Sequence, residues 1–131
     1  MNWWRERLRG SFDGDEELVE RLTTVRRFPP RVSRETVPLS DHATVRGWVR
    51  SLRREHFAQV HVRRSWGTLA VVADGASPIT VILADGEHSW VASVPGLDDQ
   101  TELTPDQTEQ VTLEALTSAA RPDWPEWRRL T

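Results

Sequence analysis

The chain has 131 residues, 37% of them hydrophobic, with seven tryptophans, no cysteine and a formal net charge of −3. That length fits one domain with a real core, and the missing cysteines exclude a disulfide framework, thiolate chemistry and Cys-ligated zinc. No apolar run approaches the ~20 residues of a membrane span and the opening MNWWRERLRGSF lacks a signal peptide's apolar region, so a cytoplasmic protein with no membrane partner is expected.

In chain order, residues 1–10 suggest a short helix with Trp3, Trp4 and Leu8 on one side. Asp13-Gly14-Asp15 makes a turn, and a helix is expected over 16–27. There Leu18, Leu22 and Val25 recur at helical spacing, with Glu16, Glu17 and Glu20 early and Arg26 and Arg27 late, as the helix dipole favours. Phe28-Pro29-Pro30 ends it. Residues 1–30 thus read as a helical extension and 31–131 as the sheet-and-helix core of a single domain. Residues 31–39 are predicted to give an extended piece around Glu35–Leu39, a candidate first strand. Ser40-Asp41 opens the clearest helix, running to about Glu55, with Val45, Trp48, Val49, Leu52 and His56 as a continuous stripe. Arg46, Arg50, Arg53 and Arg54 lie together away from that stripe.

Residues 56–95 read as four strands, Phe57–Arg64, Thr68–Ala73, Ile79–Ala84 and Ser89–Val94, broken at Trp66-Gly67, at 74–78 and at Asp85-Gly86. Asp-Gly between β-branched runs is a hairpin signal, and connections this short leave no room for helical crossovers, so a meander follows. The two central strands are almost wholly apolar, which predicts a sheet covered to some extent on both faces. The last alternates, with Trp90, Ala92 and Val94 on one side, as a strand nearer an edge does. A loop over 96–103 carries Asp98, Asp99 and Glu102. Thr104-Pro105-Asp106-Gln107 then reads as an N-cap, a proline at the first helical position and the Gln of a capping box. This helix should reach about Ala120, burying residues among Val111, Ala115, Leu116 and Ala119, before Arg121-Pro122 stops it. The tail, DWPEWRRLT, is too aromatic to be left in solvent and should pack back on the body. The expected fold class is α+β: an antiparallel meander of four to five strands packed with two or three helices.

Chemistry-bearing motifs are sparse. None of His42, His56, His61 and His88 forms a metal pair at i, i+4, and no His-Glu-x-x-His motif exists. Asp85-Gly86-Glu87-His88 would suit acid/base work but reads more simply as a polar hairpin tip. There is no nucleophile elbow and no phosphate-binding glycine loop. No enzyme, metal or cofactor is therefore expected. Every one of the 17 basic residues is arginine, and their distribution is uneven. Residues 1–64 carry a balance of +5 and residues 65–131 one of −8. The arginine face of the helix at 41–55, with Arg63-Arg64, could track phosphates. The simpler reading is a solvated face, and an acidic chain makes a poor nucleic-acid binder. The acidic group Asp74, Asp85, Glu87, Asp98, Asp99 and Glu102 falls on loops and turns. It reads equally as loop solubility or as a surface for a basic partner, and the second needs an aromatic anchor, which Trp66 or Trp90 would supply.

From Ser40 onward, the helix SDHATVRGWVRSL, the strands AQVHVRR, TLAVVADG and PITVILADGEHSWVASV, and the ending LTPDQTEQVTLEALTSAARPDWPEWRRL stand in a telling order. It resembles that of the immunity proteins of bacterial polymorphic toxin systems, in the family often paired with deaminase toxins. The ending carries most of the likeness: a final helix with a proline-containing lead (Pro105), then Arg121-Pro122, then Trp124 or Trp127. The resemblance implies a non-enzymatic antidote that binds a cognate toxin and occludes its active site. It implies that the toxin presents a basic, nucleic-acid-acting surface. The alternative from another class is a nucleic-acid-associated or regulatory accessory protein using the arginine face.

Overall fold

The computed structural model describes residues 16–25, 29, 31–54, 57–73, 79–96 and 101–130. They form an α+β fold. Its strands are β1 (Leu18–Val25), β2 (Arg31–Val37), β3 (Ala58–Arg64), β4 (Gly67–Ala73), β5 (Thr80–Ala84), β6 (Ser89–Ser93) and β7 (Glu126–Arg129). Its helices are α1 (His42–Ser51), continued by a 3-10 turn over Leu52–Arg54, and α2 (Pro105–Thr117). All seven strands join one antiparallel sheet in the order β2-β1-β3-β4-β5-β6-β7. No helix among the described residues is long and apolar enough to cross a membrane.

The meander at the centre follows the expected boundaries to within a residue. Two corrections enlarge it. The segment expected to be a helix over 16–27 is the strand β1, inserted between β2 and β3. Its β-branched Thr23, Thr24 and Val25 suit a pleated strand, and its Val19 is buried in the core. The extended piece expected within residues 31–39 is the strand β2, which starts at Arg31 and ends at Val37, two residues short of Leu39. Since β1 and β2 pair with each other across the 30/31 boundary, that boundary does not set an extension apart from the sheet. The tail adds the seventh strand, β7, outside β6. Among the described residues the sheet therefore has seven strands where four to five were expected. The helix expected over 1–10 and His56 lie outside the described residues.

Both helices pack on one face. Val45, Trp48, Val49 and Leu52 of the α1 segment and Val111, Ala115 and Leu116 of α2 meet Val19, Val60, Val62, Leu69, Val71 and Val81 in one core. Burying each large side chain contributes about 1.5–3 kcal/mol, so this layer fixes the helices to the sheet. Asp41 caps α1, accepting from the Thr44 N–H at 3.3 Å and the Thr44 hydroxyl at 2.8 Å. Thr104 and Gln107 form the expected capping box on α2, at 3.2 and 2.9 Å. α2 stops at Thr117, short of Ala120, which leaves Ala119 exposed.

The second face is buried too. Ala70, Val72, Ile82 and Ala84 form a smaller apolar cluster there. Beside it runs a polar row, Gln59, His61 and Glu20, each at most 3% exposed. A ring nitrogen of His61 meets the Gln59 side-chain oxygen. Glu20 accepts from Arg34 Nε at 2.8 Å and pairs with Arg63 at 3.2 Å. A buried carboxylate requires such partners.

Candidate functional site

The connection between β5 and β6 is a four-residue turn, Asp85-Gly86-Glu87-His88. Asp85 builds it. Its N–H donates to His88 O at 3.1 Å, and its Oδ1 accepts from the His88 N–H at 2.7 Å and the Glu87 N–H at 2.9 Å. Gly86 takes the positive φ the turn needs, 97°. The His88 N–H, and after it the Glu87 N–H, hold the Asp85 carboxyl below its usual range. Asp85 and Glu87 stay exposed, so the turn presents two carboxylates on a fixed frame.

Trp90 is the second residue of β6, just past this turn, and is half-buried. The His88 ring lies 5.9 Å from it, centroid to centroid, tilted 48°. The Arg121 guanidinium sits over the indole at 5.3 Å, a cation–π arrangement. Trp66 lies at the same end of the sheet, in the β3–β4 turn. That turn abuts the β5–β6 turn: a Cβ built on Gly67 would come within 2.7 Å of Ala84 O. The Trp66 indole N–H donates to Ser118 O at 3.3 Å, so Trp66 braces the end of α2. Arg64 clamps the same corner. It holds Glu17 at 2.6 Å and donates to Ala115 O at 2.6 Å. The Arg64 guanidinium, with the Ser65 N–H, keeps the Glu17 carboxyl below its usual range.

The structure thus gathers Trp66, Asp85, Glu87 and Trp90 at one end of the sheet. Glu102 is at the other end. It bridges Ser93, where β6 finishes, and one of its carboxylate oxygens is buried. Asp74, Asp98 and Asp99 lie outside the described residues. Sequence reasoning placed His88 at this hairpin tip but did not find Arg121, Glu17 or Arg64 in the corner. Arg121 reaches Trp90 from the segment between α2 and β7, and no local spacing signals that.

The arginines divide differently from the expected single face. Arg50 is paired with Glu109 of α2 at 2.6 Å, and Arg46 lies 3.9 Å from the same carboxylate. Arg63 and Arg64 are mostly buried in their own ion pairs with Glu20 and Glu17. Arg53 and Arg54 are exposed. Among the described residues, no three His, Cys, Asp or Glu side chains converge as a metal site would require.

Compared with family models, curated proteins and solved structures, the chain finds no match.

Proposed function

We propose that this chain is an immunity protein: it binds a cognate toxin in the cytoplasm of the producing bacterium and covers the toxin's active site without chemistry of its own. The observation that carries the reading is the β5–β6 turn. Asp85 and Glu87 are exposed there on a turn locked by main-chain hydrogen bonds, next to the half-buried Trp90 ring. Fixed charges cost little ordering entropy on binding, and an aromatic beside them is the usual composition of an interface anchor. A toxin that acts on nucleic acid needs a basic working surface, and a rigid acidic turn complements it. The resemblance of residues 40–131 to antidotes of that kind supports the same reading.

The runner-up, a nucleic-acid-associated protein, has less support from the geometry. Arg50, Arg63 and Arg64 are already held by carboxylates of the same chain.

Coexpression with a candidate toxin domain taken from a neighbouring gene tests the proposal. The expected result is a complex that copurifies and restores growth, while the protein alone leaves DNA and RNA unbound in low salt. Nucleic-acid binding that falls steeply with salt, without capture of the toxin domain, would overturn it.

A further inference from the structure

We infer that the β2 edge is a self-recognition strand, pairing antiparallel with β2 of a second copy about a two-fold axis through Ser33. Among the described residues β2 ends the sheet, and Arg31–Thr36 are all exposed. Its pairing with β1 runs unbroken from Val37 to Arg31, with no bulge to twist the edge away. The prolines nearby, Pro29, Pro30 and Pro38, flank the strand without interrupting it. Val32, at 39% exposed, is one of two large hydrophobics left open among the described residues.

The direction of the main-chain groups follows from one bond. Thr24 N–H donates to Phe57 O at 3.0 Å, so the even-numbered residues of β1 address β3 and the odd-numbered ones address β2. The pairs Arg21↔Glu35 and Thr23↔Ser33 are then the hydrogen-bonded ones. On β2, Arg31, Ser33, Glu35 and Val37 bond inward. The N–H and C=O groups of Val32, Arg34 and Thr36 point away from the sheet, three successive openings for another strand.

Charge selects the occupant and the register. Neither Arg31 nor Glu35 has an ion-pair partner among the described residues. An axis through Ser33 sets Arg31 against Glu35 of the other copy, twice, with Val32 against Arg34. An axis through Arg34 stacks arginine on arginine, and one through Glu35 stacks carboxylate on carboxylate. An axis through Val32 pairs only three residues. The Ser33 axis alone makes the edge complementary to itself, and it keeps both copies' helices on the same side of a continuous sheet.

The intact protein tests this in two ways. In sedimentation equilibrium the mass should rise from 15.0 kDa toward twice that as concentration increases from micromolar to millimolar. Arg31→Glu or Glu35→Arg alone should weaken dimerisation by about tenfold, since both reciprocal pairs turn repulsive. The double variant, Arg31→Glu with Glu35→Arg, should restore it. The chain has no cysteine of its own, so a single introduced thiol reports the register directly. Ser33→Cys places two thiols at a non-hydrogen-bonded pair, with Cα atoms about 4.5 Å apart, within disulfide reach. Val32→Cys places them about 8 Å apart, beyond it. Rapid oxidation to a covalent dimer for Ser33→Cys but not Val32→Cys is expected. Equal cross-linking of the two, or no rescue by the double reversal, would overturn the register. A monomer at every concentration, whose β2 amides become protected from hydrogen exchange only when the toxin domain is added, would assign the edge to the toxin and overturn self-pairing.

Discussion

Glu20 shows how much one residue can decide. It is 3% exposed and held by Arg34 and Arg63. Without Glu20, the mostly buried Arg63 loses its carboxylate while the exposed Arg34 turns to water, a loss of about 1–3 kcal/mol. Glu20→Ala should therefore lower the free energy of unfolding by about that amount in urea titrations. Gly67 makes a second residue-scale case. Its φ of 141° and the 2.7 Å approach of a built Cβ to Ala84 O leave no room for a side chain. Gly67→Ala should cost about 1–3 kcal/mol in the same assay. Glu17 contributes to the acid side of the stability profile. Its carboxyl titrates lower in the folded chain than when unfolded, so its contribution is full above the unfolded value of about 4.3 and is lost as pH falls through the folded value. The urea midpoints of wild type and Glu17→Gln should thus differ near neutrality and converge in acid. A constant difference down to the acid limit would remove the Arg64–Glu17 pair from the account.

Elements were legible where local chemistry and tertiary context agree. The capping box at Thr104 and Gln107 formed as the spacing required, and Thr104→Ala should cost about 0.5–2 kcal/mol of stability by loss of the cap. The α1 stripe and the hairpins of the meander were equally plain. β1 was not. Leu18, Leu22 and Val25 carry a helical spacing, yet the sheet needed a strand between β2 and β3, and propensity is a weak prior against such packing. The signal that could have found it was the β-branched run Thr23-Thr24-Val25 together with Val19, Arg21 and Thr23 on one face. β3 misleads in another way. Its alternation of Ala58, Val60 and Val62 with Gln59, His61 and Arg63 suggests a solvated polar face. Alternation reports that one side is apolar; it is silent on whether the polar side meets water or, as here, a buried row of partners. The tail strand depends on a long-range pairing with β6, for which only the unusual density of tryptophan gave warning.

At the scale of the whole molecule, the acidic candidates among the described residues do not form one surface. Strand direction separates the acids: Asp85 and Glu87 project beyond one end of β5 and β6, while Glu102 sits where β6 finishes. Five residues of strand set those ends about 17 Å apart. The carboxylates at the Asp85 turn also share their surroundings with His88 and Arg121. A single toxin cleft gripping the Trp66–Trp90 corner would therefore feel the turn and not the far end. Asp85→Asn with Glu87→Gln should slow association with the proposed toxin partner about three- to tenfold in low salt, with the effect shrinking as salt screens the encounter. Glu102→Gln should leave the association rate unchanged. Stopped-flow association at two ionic strengths separates the cases: a loss of rate from Glu102→Gln, with none from the paired change at the turn, would move the interface to the opposite end of the sheet.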